Sequence, residues 1–511
     1  MVTMAHLNES ERPFPLLLHL LPFSIILPLL VLTIIIFKLF LKPSKPLHLP
    51  PGPTPWPLLG NIFHLGKKTH ITLTTFANTY GPLISLKLGT QHLVVGSSPS
   101  VASEILKTHD RLLSGRHVPH AFPTETSQLD HTSIGWTSEC HEGWRSLRAL
   151  CRAEMFCSRA LESQALLREK KAGEMVGFLR SKVGSEEGVD VGEMVFATVL
   201  NMLSNVMLSR DVIRFEGDGV MKGLIRSVME VASAPNLSDF YPFLQRLDPQ
   251  GLRKRALGLG MRIRSMWEPI IEERREVRCS SGGSSHQDFL DTLLDKGFSN
   301  ERIHQLFMEL FAAGTDTSTS TIEWAMAELI KSPESMEKVY KELKREINGG
   351  DIRESHLVHL PYLQACVKET LRLHPPAPLL LPHRAIEVCQ VMNYTIPKDA
   401  QILINVWAVQ RDASIWDEPL KFRPERFLET GLEFKGNDFE FLPFGAGRRI
   451  CPGLPMAAKT VPLVLASMIH SFDWSLPDGK NPKDLNMNEK FGVTLQKEQP
   501  LFLIPKTRKN M

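Results

Sequence analysis

Phe444-Gly-Ala-Gly-Arg-Arg-Ile-Cys-Pro-Gly453 lies near the C-terminus of a chain of 511 residues. Phe444, Gly447, Arg449, Cys451 and Gly453 match the pattern FxxGxRxCxG at every fixed position; at average residue usage such a match arises on the order of once in ten million starts. Chance is no competitor. The run also singles out one cysteine from seven. Cys140, Cys151, Cys157, Cys279, Cys366 and Cys389 form no CxxC pair, and the total is odd, so neither a disulfide framework nor a zinc site is suggested. Those six read as small buried hydrophobes in a reducing, cytosol-facing compartment.

The rest of the composition narrows the field. The formal charge is +3, from 59 basic and 56 acidic residues, which excludes a global field for nucleic acid or strongly acidic partners. From Phe14 to Phe37 no residue carries a formal charge, and the run is long enough to cross a bilayer as one helix. Pro22 and Pro28 do not exclude a span, and no small-residue cleavage site follows, as a signal peptide requires. Lys38, Lys42 and Lys45 follow the run while Glu9 and Glu11 precede it, so the C-terminal side is expected in the cytosol. Residues 1–45 thus read as a membrane anchor, and 46–511 as one globular domain behind the proline-rich connector Leu49-Pro-Pro-Gly-Pro-Thr-Pro-Trp-Pro57.

Within the globule the pattern predicts a mainly α class with a minor β part. Residues 82–88 and 91–95 read as a hairpin around Gly89-Thr90. Helical signals follow at Ser98–Lys107, at 140–152 and at Met336–Ile347. The longest candidate runs from Asn300, taken as its cap, to Lys331, with Pro333 as its stop; it would span about 48 Å. In its middle lies Ala313-Gly-Thr-Asp-Thr-Ser-Thr-Ser-Thr321, a run of poor helix formers whose hydroxyls can bond back to the backbone. Residues 279–285, Cys-Ser-Ser-Gly-Gly-Ser-Ser, read as a surface loop.

With the 444–453 run as its signature, the chain resembles the cytochromes P450 from the connector to its last strands. The resemblance implies the P450 fold, haem b, and Cys451 as the axial ligand of the haem iron. A thiolate on haem iron is a strong electron donor that favours cleavage of the O–O bond, so Cys451 is expected to be deprotonated, helped by N–H groups of the turn that opens a helix at Leu454. Asp316 and Thr317 resemble the family's proton-delivering acid and alcohol, with Ala313 and Gly314 leaving a gap over the iron for oxygen. Arg449, the pair Trp144 and Arg148, and His383 are similar to its propionate-binding groups. Glu369-Thr-Leu-Arg372 matches its ExxR element. That pattern is uninformative alone, since it recurs at Glu9/Arg12, Glu142/Arg145, Glu272/Arg275 and Glu342/Arg345, but Arg426 in Phe422-Arg-Pro-Glu-Arg-Phe427 falls in the right interval to complete a structural Glu-Arg-Arg cluster.

No GxGxxG follows a strand and no P-loop occurs, so a partner must supply electrons. The resemblance names NADPH-cytochrome P450 reductase, drawing on NADPH, with cytochrome b5 as a further donor. Arg145, Arg148 and Arg152 on one helical stripe, with Arg448, are the expected basic docking patch. Cavity-lining segments expected from the family are 114–136, the helix around Phe311, Ala377–Leu381 and Phe491–Thr494. Asn405-Val-Trp-Ala-Val-Gln-Arg-Asp412, Leu247-Asp-Pro-Gln-Gly-Leu252 and Asn437-Asp-Phe-Glu-Phe441 are similar to the plant microsomal geraniol and ferruginol-type hydroxylases, which implies a monooxygenase of the endoplasmic reticulum membrane acting on a terpenoid. A flavonoid or phenolic hydroxylase is the nearest alternative. A peroxide-rearranging haem isomerase or lyase and a non-catalytic haem carrier are rivals of other classes, both of which leave a proton relay without a use.

Overall fold

The computed structural model describes residues 27–28, 30–32, 47–122, 131–217, 219–281, 288–347 and 350–508, in two units, Met1–His48 and Leu49–Met511. The expected membrane span over 14–37 lies largely outside the described residues, as do residues 282–285 of the serine- and glycine-rich patch. In the first unit, residues 27–28 and 30–32 are helical.

In the second unit the described helices of ten or more residues are α1 (Thr69–Tyr80), α2 (Glu142–Cys151), α3 (Ala165–Ser181), α4 (Val191–Leu208), α5 (Val220–Ser233), α6 (Leu252–Ser281), α7 (Asn300–Lys331), α8 (Pro333–Glu346), α9 (Pro361–Leu373) and α10 (Leu454–Ser471). The strands are short: β1 (Leu83–Leu88), β2 (Gln91–Gly96), β3 (Gly115–Arg116), β4 (Val189–Asp190), β5 (His383–Arg384), β6 (Cys389–Val391), β7 (Tyr394–Ile396), β8 (Gln401–Ile404), β9 (Phe472–Ser475), β10 (Glu489–Lys490), β11 (Gln496–Lys497) and β12 (Phe502–Thr507). The class is mainly α with small sheets.

The expected hairpin forms. Gly89 at φ +59° turns the chain so that Leu88 faces Gln91, and β1 and β2 pair along their length. The sheet continues as β1-β2-β8-β5-β3, with β2 and β8 parallel and β5 antiparallel to both its neighbours. Its last pairing sets Arg116 of β3 opposite His383 of β5, which brings residues far apart in the chain to one edge.

Helix α7 runs unbroken through its glycine- and threonine-rich middle. The hydroxyls explain how: Thr317 Oγ1 donates to the Ala313 carbonyl (2.6 Å), Ser318 Oγ to Gly314 (3.0 Å) and Thr321 Oγ1 to Thr317 (2.9 Å), so they bond within the helix instead of competing with it. Its cap is Ser299, not Asn300. Ser299 Oγ accepts the Arg302 N–H, whereas the Asn300 amide ties α7 to α6 by donating to Glu268 and Glu272 and accepting from Arg275. Pro333 opens α8, so the proline that stops one helix starts the next.

The core is built around α7, which packs on α4, α9 and α10. Trp324 of α7 is fully buried, its ring stacked on His374 at 3.9 Å, and its indole N–H shares the Leu495 carbonyl with the Ser320 hydroxyl. Helix α4 is the one described helix apolar and long enough to cross a membrane, and it is buried against α7 as a core element.

The Glu-Arg-Arg cluster is present as expected. Arg372 Nε and Nη2 donate to the two oxygens of Glu369 (2.7 and 2.8 Å), and Arg426 Nε donates to Glu369 Oε1 (3.1 Å). Glu369 and Arg372 are wholly buried. The spare guanidinium donors go to the carbonyls of Gln410, Pro419 and Asp417, so α9 is tied to the segment that leads to the cysteine loop. Glu369→Ala would strand two desolvated guanidinium groups, at a cost of about 3–5 kcal/mol. The expected outcome is a protein that fails to accumulate in folded, haem-loaded form, checked by the yield of monomer on size exclusion and by its Soret absorbance; a normal yield with full haem content would refute the assignment.

Candidate active site

The cysteine loop is shaped by its glycines. Gly445 and Gly447 sit at φ +70° and +67°, and a Cβ at Gly447 would lie 2.2 Å from the Leu106 carbonyl oxygen. A Cβ at Gly445 would make ordinary contact with the Leu380 side chain, at 3.5 Å. The Cys451 N–H closes the loop on the Phe444 carbonyl at 3.0 Å. Immediately afterwards α10 begins, and the Gly453 and Leu454 N–H groups point at the Cys451 sulfur.

Cys451 lines a cavity of about 310 Å³ whose far wall is α7. Burial pushes the thiol above its ordinary range, while the two N–H groups and the nearby Arg148 pull it back. Without a metal, burial outweighs the two backbone donors and the cation, and a coordinated metal ion is what deprotonates such a group outright, which is the setting in which the thiolate is expected.

Around the same cavity stand Arg116, Arg148, Arg449 and His383. Arg116 Nε donates to the Gly135 carbonyl (3.1 Å) and Nη1 to Leu381 (2.7 Å). Burial, and next the neighbouring Arg449, hold the Arg116 guanidinium well below its usual range. Arg449 donates to the carbonyls of Ser114 (2.9 Å) and Thr137 (2.7 Å), and Arg148 to Ile450. His383 is buried with Nδ1 2.8 Å from the Leu113 carbonyl, and burial, with Arg116 beside it, pushes it well below the normal imidazole range, so it is neutral with Nδ1 as donor. Three guanidinium groups and a neutral imidazole around an apolar slot with a thiol in its wall form a donor set that would fit a flat apolar group bearing carboxylates and a thiol-binding metal. Haem b meets that description.

Several expected residues stand elsewhere. The Trp144 indole N–H donates to the Ile134 carbonyl (2.9 Å), and its ring lies under Arg449 and Arg148, 4.7 and 5.4 Å from the centroid. Trp144 thus braces the cations from behind and is not itself a cavity donor. Its helix is started by His141, whose side chain accepts the Trp144 N–H. Gly314 does not open over the cavity: a Cβ there would come 3.0 Å from Leu203, so its small size serves the contact of α7 with α4. Ala313, Thr317, Ser318 and Thr321 are the residues of that run that line the cavity. Asp316, one position round the helix, faces a small polar pocket of about 30 Å³ on the other side, where Gln496 donates to its Oδ1 at 2.7 Å. Burial raises its carboxyl, against the nearby Thr494 hydroxyl and Arg226. Arg148 turns inward, so the expected surface stripe is broken; Arg145 and Arg448 instead border a surface hollow together with Arg111.

Two residues escape a reading of the sequence. Arg116 carries no motif beyond Ser114-Gly-Arg116. Glu309 is the acid that lines the cavity, and a trace of it is legible: a lone carboxylate amid Leu306, Phe307, Leu310 and Phe311 of an apolar helical run. A second cavity, of about 870 Å³, shares Phe122, Val228, Ala232 and Met308 with the first.

Gly447→Ala tests the loop. Strain at positive φ costs about 1–3 kcal/mol, to which the clash with Leu106 adds; the expected result is unchanged far-UV circular dichroism with a haem-to-protein ratio reduced severalfold.

The family model for cytochrome P450 matches residues 50–504. The (S)-N-methylcoclaurine 3'-hydroxylase isozyme 1 of Papaver somniferum is 47% identical over 94% of this chain and 99% of its own length. Its namesake from Eschscholzia californica is 46% identical over 90% of this chain and 94% of its own, and the geraniol 8-hydroxylase of Catharanthus roseus 42% identical over 90% and 94%. A match of that extent, joined to the cysteine loop and the cation-lined cavity above it, makes the chain a member of the cytochrome P450 family and a monooxygenase of that family.

Proposed function

We propose that this monooxygenase hydroxylates an alkaloid of the N-methylcoclaurine kind at the endoplasmic reticulum membrane, with electrons from NADPH delivered by NADPH-cytochrome P450 reductase. The observation that carries the reaction type is the Cys451 thiol facing an apolar cavity ringed by Arg116, Arg148, Arg449 and His383. The substrate class rests on identity: the relatives named for N-methylcoclaurine stand at 47% and 46%, those named for geraniol at 43% and 42%. A terpenoid alcohol, expected from the sequence motifs, is the second reading and keeps its place because the geraniol hydroxylases align over 90% of the chain.

Haem bound in the cavity supplies an iron that activates dioxygen and, through its sulfur donor, favours O–O cleavage. The protein's own residues do the rest. Cys451 gives up its proton on coordination and contributes the donor sulfur. Arg116, Arg148 and Arg449 hold the carboxylates by charge-assisted hydrogen bonds, with His383 beside them. Thr317, whose hydroxyl is parked on the Ala313 carbonyl, rotates to donate toward the cavity. Asp316, its carboxyl raised by burial toward the working pH, takes protons from the small polar pocket and passes them on through Thr317. Apolar walls at Phe122, Val228, Leu310, Leu380 and Val493 bind the substrate by area burial and exclude water.

Membrane attachment has support beyond the N-terminal run. Phe63 and Phe243 are 77% and 76% exposed, with Trp56, Leu58 and Leu247 also exposed, and the Tyr241 hydroxyl donates to the Leu58 carbonyl at 3.0 Å, joining the two segments into one apolar surface. For the reductase, Arg111, Arg145 and Arg448 around their hollow provide positive charge, Arg448 being fixed by Asp110 at 3.1 Å.

The test is co-expression with a plant reductase, then feeding microsomes with N-methylcoclaurine, geraniol and phenolic panels under mass-spectrometric readout. The expected product gains one oxygen and forms only with NADPH; oxidation of geraniol alone reverses the order of the two readings, and product without NADPH favours peroxide rearrangement. Cys451→Ser is expected to abolish the red-shifted Soret band of the reduced carbon monoxide complex, and Asp316→Asn to lower turnover by about 10²-fold or more while leaving that band intact.

A further inference from the structure

The cation set above Cys451 has an anchor on the opposite wall. Glu309 Oε2 accepts the N–H groups of Ile134 (2.9 Å) and Gly135 (3.1 Å), and its Oε1 accepts from Gln305 (3.1 Å). The Ser133 hydroxyl also reaches the carboxylate. The Ile134–Gly135 peptide, whose N–H meets Glu309, presents its carbonyl on the other side: Ile134 O accepts from Trp144 Nε1 (2.9 Å) and Arg449 Nη1 (3.4 Å). The next peptide presents Gly135 O to Arg116 Nε (3.1 Å), while its own N–H, that of Trp136, donates to the Ser133 hydroxyl oxygen (2.7 Å), which in turn meets Glu309. One peptide is thus strung directly between the acid and the Arg449 and Trp144 donors, a second is joined to the acid through Ser133, and such chains strengthen cooperatively.

We propose that Glu309 is a positioning residue for the haem carboxylates, acting through the Ile134–Gly135 peptide on Trp144 and Arg449, and through Ser133 and the Gly135–Trp136 peptide on Arg116. The long arginine side chains have many rotamers, and the segment around residues 133–137 is neither helix nor strand, so the orientation of these two carbonyls helps to aim the guanidinium groups, together with the carbonyls of Leu381 for Arg116 and of Ser114 and Thr137 for Arg449. That orientation is set by the N–H group at the far end of each peptide, held by Glu309 itself for one and by Ser133, which Glu309 meets, for the other. A role in gripping a substrate ammonium group is disfavoured by arithmetic: a carboxylate has about four acceptor sites, and Ile134, Gly135, Gln305 and Ser133 occupy them. Placed on α7 midway between the cation set and the oxygen-side residues Ala313 and Thr317, Glu309 links the wall that meets the substrate to the seat of the cofactor.

The inference rests on haem binding in this cavity but not on the identity of the substrate. It is tested on the full chain purified with haem, comparing wild type, Glu309→Gln, Glu309→Asp and Gln305→Ala. The readouts are the rate of haem transfer to excess apomyoglobin and the midpoint potential of the iron. Glu309→Gln keeps the shape but sets an amide donor or an uncharged oxygen against the two N–H groups; haem transfer about tenfold faster is expected, with a more positive potential from the lost negative charge. Glu309→Asp restores part of both, and Gln305→Ala stays within about twofold of wild type, since the network loses only an outer donor. Wild-type transfer and potential in Glu309→Gln would overturn the proposal, as would an equal effect of Gln305→Ala. A wild-type protein that takes up no haem would overturn it together with the reading of the cavity, before any variant is compared.

Discussion

Charge removed from water has to be answered by charge or by dipoles, and the interior of this protein is organised around three places where that demand is met differently. At Glu369 one carboxylate answers two guanidinium groups, and backbone carbonyls take the donors left over. At Glu309 one carboxylate is answered by peptide N–H groups and polar side chains. Around Cys451 cations gather: Arg116 is desolvated next to Arg449, and both donate to backbone carbonyl oxygens. An arrangement of that kind is costly for the chain alone and becomes favourable when carboxylates arrive. In the proposed haem-bound form this imbalance would couple the stability of the fold to the cofactor.

The fold serves this imbalance by bringing distant segments to one place. Arg116 and His383 are opposite partners at the edge of the five-stranded sheet, Arg148 comes from α2, Arg449 from the cysteine loop, and the far wall from α7. Position along the chain is no guide to these neighbours; they are brought together by sheet register and by the packing of α7 on α4, α9 and α10. The Glu369 cluster lies outside the cavity yet conditions it, because the segment from Gln410 to Arg426 that it fixes leads into the run ending at Cys451.

What could be read from the sequence follows from how local each feature is. The hairpin at Gly89, the helix over 300–331, the ExxR pair and the cysteine loop all depend on spacings of a few residues, and spacing is visible in a sequence. Direction is not. Asp316 and Thr317 are neighbours in the chain but about 100° apart on the helix, so one faces the cavity and the other a separate polar pocket. Gly314 looked like a gap and is a packing surface for Leu203. Asn300 looked like a cap, but the residue before it takes that part because the Asn300 amide has better partners on α6. Trp144 and Arg148 sit one turn apart as expected, yet the indole is taken by a carbonyl that no motif reveals. Arg116 was invisible for the same reason: its importance comes from pairing with a strand far away in the sequence.

The back-to-back placement of Asp316 and Thr317 bears on how protons reach oxygen without water flooding the cavity. A carboxyl without partners in an apolar substrate site would draw water into it; Glu309, the acid that lines the cavity, has its acceptor sites filled by peptide N–H groups and polar side chains. With Asp316 on the far side of α7, the polar pocket it shares with Lys222, Gln496 and Lys497 stays separated from the cavity by the helix itself. Transfer as proposed would require a short-lived rearrangement of the helix near Ala313, whose carbonyl the Thr317 hydroxyl shares with the backbone. A run of poor helix formers at this one point, which is a liability for helix stability, supplies the compliance that such a rearrangement needs.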